Sequence, residues 1–270
     1  MTVLGVVLAT YNEVENLPTL VHALEHLSKN KGTSKPTLEQ IWVEIEGFRI
    51  IVVDDNSPDG TSQVGQALAD RYGNITIITR PRLLGLGSAL RAGMEEALRI
   101  GCQYIVTMDA DLSHDAGDVP RLFELVRNSG ADMVQASRYI EGGSIVGWNM
   151  IRKLQSRLAN LLYHLLLGTP KEVTTNFRAF NRTLGELVVR KNRSEGFEFQ
   201  PECTLIAMHH GLSIVETPII FNDRTLGKSK LTLLQTLNYI SFFLVTLVVF
   251  RLRIGRFSRS NSKTIEDFDA

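Results

Sequence analysis

The first 137 residues alternate short apolar runs rich in β-branched residues with stretches of helical periodicity. Strands are predicted at residues 3–9, 49–54, 75–79, 104–108 and 132–136. Helices are predicted between them, at residues 16–27, 61–72, 85–100 and 119–127. Near-continuous apolar strands separated by helices are typical of a parallel sheet that is covered on both faces. The sequence therefore predicts an α/β fold with a mostly parallel sheet flanked by helices.

The second half of the chain is less regular. Helices are predicted at residues 152–167 and 199–210, and strands at 174–181 and 212–221. Residues 29–47 interrupt the rhythm of the first half, and we assign them no chemistry. Residues 231–250 carry no charge and are followed by four arginines, at positions 251, 253, 256 and 259. This segment predicts an apolar C-terminal helix.

Charge and cysteine content narrow the functional classes. The chain of 270 residues has 29 Lys and Arg against 29 Asp and Glu, a formal net charge of zero. General nucleic-acid binding needs a surplus of cations, so we expect no nucleic-acid partner. Cys102 and Cys203 lack the spacing of metal ligands, which favours a reduced, cytosolic setting, with a single disulfide as the alternative. The apolar start without a basic leader is unlike a signal peptide.

Acidic residues follow three of the predicted strands. They are Glu13, Asp54, Asp55, Asp109 and Asp111. In parallel α/β sheets, ligands bind beyond the carboxyl ends of the strands. Carboxylates gathered there need a cation or hydrogen-bond donors to compensate their charge. The sequence therefore places a candidate ligand site at this edge.

The Asp109-Ala110-Asp111 segment predicts a metal site. Two carboxylates separated by one residue can both reach a hard cation where the backbone turns. Mg²⁺ or Mn²⁺ held by one or two carboxylates completes its shell with water and phosphate oxygens. The alternative is that one aspartate caps the following turn. The position at the end of an apolar strand, with Asp55 at the end of another, favours the metal.

The other acidic residues have two interpretations each. Asp55 suits a hydrogen bond from a base N–H or a ribose hydroxyl. The alternative is an Asx turn that organises residues 56–60, which Asp54 or Asn56 could serve equally well. Glu13 is either part of the site or a residue of a first helical turn, where the macrodipole favours acidic side chains.

A nucleoside diphosphate also requires cations from the protein. Arg138 follows the fifth strand, and a later basic loop holds Arg224, Lys228 and Lys230. Arginine suits bidentate phosphate contact and lysine acts as a point charge. A solvated surface loop is the alternative. The glycine-rich loops of P-loop kinases and Rossmann dehydrogenases are absent from the sequence.

Together these segments resemble the inverting GT-A glycosyltransferases, and in particular the polyprenol (dolichol) phosphate mannosyltransferases. The resemblance covers about residues 3 to 232. It is carried by residues 9–13, 52–61, 108–114, 137–139, 142–143, 147–148, 152, 174–178, 196–200, 224 and 227–231. The chain departs from the family pattern at Glu172 and Asn176, where Asp and Gly are usual, at Ala9, where Pro is usual, and in the insertion at 29–47.

The resemblance implies a GT-A fold and a role for each matching residue. The nucleoside pocket would be lined by Ala9, Tyr11, Glu13, Val53 and Asp55. The donor diphosphate and its Mg²⁺ or Mn²⁺ would be held by Asp109, Ala110 and Asp111, with Ser113 near the metal. Donor or acceptor phosphates would be contacted by Arg138, Arg152, Arg224 and Lys230. The expected catalytic residues are Asp111, Arg224 and Lys230.

A polyprenyl (dolichyl) phosphate acceptor simplifies the chemistry. A phosphate monoester has a second pKa of about 6, so it is mostly dianionic at pH 7 and needs no general base. We therefore expect an in-line displacement with inversion that moves mannose from GDP-mannose. UDP-glucose is the nearest alternative donor. A non-catalytic nucleotide-sugar-binding membrane protein is an alternative from another class.

The resemblance and the apolar segment together predict three parts. These are a catalytic domain at 1–230 with the insertion at 29–47, an apolar helix at 231–257 and a polar tail at 258–270. A nucleotide-sugar donor places the catalytic domain in the cytoplasm, and the positive-inside rule places the arginine cluster there too. An interfacial helix or re-entrant hairpin satisfies both, whereas an ordinary buried helix is the alternative. The expected location is the cytoplasmic face of a membrane.

Overall fold

The computed structural model describes residues 3–29, 47–223 and 239–248. In the first half, the strands are β1 (Val3–Thr10), β2 (Gly47–Asp54), β3 (Ile75–Thr79), β4 (Tyr104–Asp109) and β5 (Met133–Ser137). The helices are α1 (Asn16–Lys29), α2 (Thr61–Tyr72), α3 (Leu86–Arg99) and α4 (Val119–Asn128). Every strand and helix predicted here is confirmed, with ends that differ by at most two residues.

The second half differs more from the prediction. Its elements are β6 (Ser144–Val146), α5 (Met150–Leu167), β7 (Arg178–Asn181), α6 (Arg182–Lys191), α7 (Phe199–His209), β8 (Ile214–Pro218) and β9 (Ile220–Asn222). Residues 239–248 form a further helix, α8. Of the strand predicted at 174–181, only the last four residues form a strand, β7. The range predicted as one strand at 212–221 contains two strands, β8 and β9, which belong to different sheets. The sequence prediction missed β6 and α6.

The strand order explains why the acidic segments meet. The main sheet runs β3-β2-β1-β4-β7-β5-β8, and β1 is parallel to both β2 and β4. Thr10 pairs in register with Asp54, and Ala9 pairs with Asp109, so the carboxyl ends of these strands lie level. Strand β7 is antiparallel to both of its neighbours, β4 and β5. The sheet is therefore mostly but not wholly parallel.

Helices cover both faces of the sheet. Successive side chains of a strand point to opposite faces. On β1, Val6 and Leu8 pack into the core beneath α1, α2 and α4, whereas Val7 packs into the core beneath α3, α6 and α7. Two buried faces account for the nearly continuous apolar strands in the sequence.

The last described helix packs on α5. The aromatic rings of Tyr163 and Phe243 lie 4.8 Å apart between centroids, and Leu247 joins the same cluster. Helix α8 is part of the helix predicted at 231–257. The rest of that helix, the tail at 258–270 and most of the insertion at 29–47 lie outside the described residues. None of the helices in the described ranges has the length and apolar character needed to cross a membrane.

Candidate functional site

The turn after β2 is organised by Asp54, which is fully buried. Its carboxylate accepts hydrogen bonds from Ser57 Oγ at 2.5 Å, Ser62 Oγ at 2.6 Å and Thr10 Oγ1 at 3.1 Å. The backbone N–H of Ser57 also donates to it, at 3.0 Å. The Asx turn considered for Asp55 is therefore supplied by its neighbour Asp54. This leaves Asp55 for a different role.

Asp55 holds the loop between β3 and α3. Its Oδ2 accepts the backbone N–H groups of Leu84 and Gly85, both at 3.0 Å, and its Oδ1 forms an ion pair with Arg80. Arg80 in turn donates to Ser88 Oγ at 2.5 Å and to the Gly85 carbonyl at 3.0 Å. A nucleoside contact at Asp55 would add to this network. The sequence reasoning missed Arg80, although its place directly after a strand was the available signal.

The remaining nucleoside-pocket predictions are gathered at the same edge. Ala9 and Val53 are register partners near the ends of β1 and β2. Tyr11 follows β1 and is half-buried. Glu13 is buried, and its Oε2 accepts from Asn16 Nδ2 at 2.8 Å while its N–H donates to Thr61 Oγ1 at 2.9 Å. Glu13 therefore connects the start of α1 to the start of α2.

The Asp-x-Asp segment forms a sharp turn. Asp109 ends β4, and its side chain is 32% exposed, whereas Asp111 is buried. Leu112 between Asp111 and Ser113 has a φ of 62°, a left-handed conformation that is uncommon for a residue with a side chain. Asp111 Oδ1 accepts two hydrogen bonds from Ser113, from its Oγ at 2.5 Å and from its N–H at 3.2 Å. The backbone turns here, as the metal hypothesis requires.

Two residues that the motif analysis did not assign fix Asp109. Asn176 Nδ2 donates to Asp109 Oδ1 at 3.0 Å, and the Asp109 N–H donates to His114 Nδ1 at 3.1 Å. The buried His114 ring stacks on Phe177, with centroids 4.9 Å apart. Burial lowers the pKa of His114, which agrees with a neutral ring whose Nδ1 accepts. Asn176 stands at one of the departures from the family pattern, and this contact gives it a role.

The donor atoms at this turn fit Mg²⁺ or Mn²⁺. Both side chains supply carboxylate oxygen, which these hard cations prefer. Across residues 3–29, 47–223 and 239–248, no group of three or more His, Cys, Asp and Glu is placed to hold a metal by itself. A cation held by Asp109 and Asp111 would therefore take further oxygens from water and from a diphosphate. That is the usual arrangement for Mg²⁺ beside substrate phosphates.

Arg138, a predicted phosphate ligand, has a carboxylate partner. Its Nε and Nη2 contact the two oxygens of Glu172 at 2.7 and 2.9 Å, and Nη2 also contacts Thr174 Oγ1 at 2.7 Å. Burial opposes both charges, but the attraction between them holds the pKa of Glu172 below its ordinary value and that of Arg138 above it. A phosphate would have to share Arg138 with Glu172.

Arg152 is also paired. Its Nη1 lies 3.0 Å from Asp223 Oδ1, and its guanidinium stacks over Trp148 at 3.8 Å from the ring centroid. Asp223 is the last described residue before the basic loop. Arg224 and Lys230, the other predicted phosphate ligands, lie outside the described residues with Lys228.

The fold and the site at the ends of its strands together define the structural class of the protein. A mostly parallel sheet with the Asp-x-Asp turn at the end of β4 is a GT-A-like α/β fold. Glucosyl-3-phosphoglycerate synthase from Mycobacterium tuberculosis, solved with Mn²⁺, UDP and phosphoglyceric acid, superposes with a TM-score of 0.63 at 17% identity, over 91% of this chain and 78% of that one. A mannosyltransferase from Pyrobaculum calidifontis, solved with GDP-Man and Mn²⁺, gives 0.52 at 16% identity, over 84% and 58%.

The chain belongs to glycosyl transferase family 2, whose model matches residues 5–186, and it is a glycosyltransferase. It is 36% identical over 233 residues to the polyprenol monophosphomannose synthase of Mycolicibacterium smegmatis, covering 84% of this chain and 80% of that protein. It is 34% identical over 228 residues to the undecaprenyl-phosphate mannosyltransferase of Micrococcus luteus, covering 84% and 86%.

Proposed function

We propose that this enzyme transfers mannose from GDP-mannose to a polyprenyl phosphate, with inversion at the sugar carbon. The observation that carries the proposal is the Asp109–Asp111 turn at the carboxyl edge of the sheet. It occurs in a chain whose relatives of 36% and 34% identity are named for mannose transfer to polyprenyl lipids. The assignment of individual site residues belongs to this proposal.

Asp109 and Asp111 would hold a divalent cation, either Mg²⁺ or Mn²⁺. When bound, such a cation neutralises charge on the departing nucleoside diphosphate. The chain's own contribution is to fix the two carboxylates, Asp109 through Asn176 and Asp111 through Ser113. Residues fixed in advance lose little entropy when the donor binds.

The acceptor phosphate would attack the anomeric carbon directly. An acceptor oxygen forms the new bond to this carbon as the bond to the donor phosphate breaks, and GDP leaves with the bonding electron pair. No proton has to be removed from a dianionic phosphate. His114 is not needed as a general base in this reaction, and its Nδ1 already accepts a hydrogen bond from the Asp109 N–H. Arg138, Arg152, Arg224 and Lys230 would offset repulsion between the phosphates.

A lipid acceptor and a nucleotide donor place the proposed reaction at the cytoplasmic face of a membrane. The catalytic domain would occupy residues 1–230, and residues 231–257 would associate with the membrane. Helix α8 supports this because four of its apolar side chains are exposed: Ile240, Leu244, Val245 and Val248.

Label transfer into an organic-extractable product tests the proposal. The purified chain is given polyprenyl phosphate, Mg²⁺ or Mn²⁺, and either labelled GDP-mannose or labelled UDP-glucose, with an EDTA control. We expect EDTA-sensitive lipid label from GDP-mannose. Label from UDP-glucose alone would overturn the donor assignment. Binding of donor without lipid label from either would favour a non-catalytic nucleotide-sugar-binding protein.

A further inference from the structure

The segment between α5 and β7 connects the two sides of the candidate site. Residues 172–176 form neither a helix nor a strand. At one end of this segment Glu172 pairs with Arg138, and at the other end Asn176 donates to Asp109. Outside helices and strands, buried backbone groups must find their hydrogen-bond partners in side chains or water. The side chains that bind this segment therefore contribute to the position of Asp109.

Three buried polar side chains form a row across the sheet and bind this segment. Thr107 of β4, Arg178 of β7 and Gln135 of β5 are register partners on adjacent strands. Each of them is at most 1% exposed. Thr107 Oγ1 donates to the Asn176 carbonyl at 2.6 Å, and Gln135 Nε2 donates to the Glu172 carbonyl at 2.8 Å. Two members of the row therefore bind the two ends of the segment.

Arg178, the middle member of the row, binds the segment near its centre. Its Nη2 donates to the Val173 carbonyl at 2.8 Å, and its Nη1 donates to the Gln200 carbonyl in the first turn of α7 at 2.5 Å. Its Nε is buried and has no hydrogen-bond partner among the described residues. Burial lowers the pKa of Arg178, because a cation is costly to hold inside a protein. An apolar side chain would avoid this cost, so the two carbonyl contacts explain why an arginine suits the position.

The contact between Asn176 and Asp109 is sensitive to small movements of the segment. Asn176 Nδ2 lies 3.0 Å from Asp109 Oδ1. An amide donor at this distance loses its hydrogen bond when it moves away by more than about half an ångström. Val173 precedes Asn176 by three residues, so release of the Val173 carbonyl frees the chain that carries this donor. Loss of Arg178 should therefore release Asp109 as well.

We propose that Arg178 is a positioning residue for Asp109. It fixes the Val173 carbonyl, and through the segment it holds Asn176 against Asp109, so that the carboxylate is oriented before a cation binds. Arg178 acts through Asn176 and is assigned no contact with the cation or the substrate. The inference rests on the proposed function, because the cation at Asp109 and Asp111 is part of that proposal. Partners that orient metal ligands commonly contribute about tenfold or more to metal affinity.

Binding of Mn²⁺ to the full chain in the presence of GDP, measured by electron paramagnetic resonance, tests this role. Arg178→Met removes both carbonyl contacts and should weaken Mn²⁺ binding about tenfold. Arg178→Lys retains the charge and one contact within reach, so it should weaken binding by a smaller factor, and it serves if Arg178→Met does not fold. The matched control is Arg182→Met. Arg182 also donates to two carbonyl groups, those of Leu98 and Cys102, but it follows the end of β7 that pairs with the start of β4. This control should bind Mn²⁺ like the wild type.

A double-mutant cycle tests whether Arg178 acts through Asn176. Asn176→Gly by itself removes the donor to Asp109. In that background, Arg178→Met should weaken Mn²⁺ binding by no more than about twofold further, because the contact that Arg178 supports is already gone. A general structural role of Arg178 would instead add its full effect to that of Asn176→Gly. Circular dichroism and thermal unfolding check that each variant is folded.

The outcomes separate this inference from the proposed function. An affinity for Mn²⁺ unchanged in the folded Arg178 variants would overturn the positioning role, even if mannose transfer is found. Additive losses in the cycle would overturn it too. Weakened binding that is not additive with Asn176→Gly, in a protein that transfers no sugar, would support the positioning role and overturn the proposed function.

Discussion

Two regions of the molecule compensate their charged side chains in different ways. One is the edge formed by the ends of β1, β2 and β4, and the other is the outer region around α5. At the edge, Asp54 and Asp111 accept hydrogen bonds from serines of their own turns, Ser57 and Ser113. In the outer region, cations pair with carboxylates far along the chain. Arg138 and Glu172 are 34 residues apart, and Arg152 and Asp223 are 71 apart.

This difference has a chemical consequence. The edge concentrates negative charge at a partly exposed carboxylate, Asp109, which suits it to a cation. Arg138 and Arg152 of the outer region are compensated by carboxylates, so an anionic ligand at these two cations must compete with Glu172 or Asp223. We therefore expect substitutions at the edge to affect catalysis most strongly, and substitutions in the outer ion pairs to affect mainly the stability of the fold.

The largest expected effect is on catalysis at the edge. Asp111→Asn should lower sugar transfer by about a thousandfold or more, because the donor diphosphate loses the charge stabilisation that this carboxylate provides. The matched control is Asp70→Asn on α2, where the carboxylate only accepts from Gln66 at the surface. Retention of more than a tenth of the wild-type rate by Asp111→Asn would contradict the assignment.

The next effect is on stability in the outer region. Glu172→Gln leaves the buried Arg138 without its countercharge and should cost about 3–5 kcal/mol of unfolding free energy. Urea unfolding at pH 7 measures this cost. The control Glu96→Gln breaks the ion pair with the exposed Arg99 and should cost far less, because solvent screens such a pair. Equal costs for the two variants would refute the distinction.

The same ion pair predicts a pH dependence. The pKa of Glu172 is lowered in the folded state, although burial alone would raise it, because Arg138 stabilises the carboxylate. Its contribution to stability is therefore complete above the ordinary value of 4.5 and is lost as the pH falls through the lower folded value. The difference in unfolding free energy between wild type and Glu172→Gln should shrink over that range. A difference that stays constant would count against the pair.

A smaller effect is expected on metal binding at the edge. Asn176→Gly removes the donor that fixes Asp109 and should weaken Mn²⁺ binding in the presence of GDP about tenfold, since partners that orient metal ligands commonly contribute this much. Asn176→Asp, which replaces the amide donor with a carboxylate, provides a second comparison. An affinity for Mn²⁺ unchanged by Asn176→Gly would show that the contact has no role in metal binding.

The smallest expected effect is on the reactivity of the two buried thiols, Cys102 and Cys203. Burial raises the pKa of Cys102 to about 11 and that of Cys203 to about 12. At pH 8 neither thiol should react with a disulfide reagent in the folded protein, and both should react after denaturation. Rapid labelling of the native chain would show that this core opens more readily than its packing implies.

The sequence predicts the first half of the fold because periodicity suffices there. Apolar strands of five to eight residues alternate with amphipathic helices, and the ends agree within two residues. In the second half, β6 and β9 have three residues each, too few for a periodic pattern. The antiparallel direction of β7 arises from its pairing with distant strands. Helix α6 did leave a signal, since Asn181 caps it by accepting the Leu184 N–H at 2.9 Å.

The candidate site, like the fold, could be predicted from the sequence only in part. The acidic residues at the edge could be selected because strand ends and the Asp-x-Asp spacing are visible in sequence. Their partners Arg80, Asn176 and His114 come together only through folding. Likewise, a sequence shows that residues 150–167 are helical and apolar, but not which of their faces is left exposed.

Binding of Mn²⁺ in the presence of GDP tests the central claim most directly. Electron paramagnetic resonance measures free and bound Mn²⁺ for the wild type and for Asp109→Asn/Asp111→Asn, with circular dichroism to confirm folding. The account predicts one bound ion per wild-type chain and an affinity at least about a hundredfold lower in the double variant, because both ligand carboxylates are lost. Equal binding of Mn²⁺ by the two folded proteins would contradict the assignment of the metal to the end of β4.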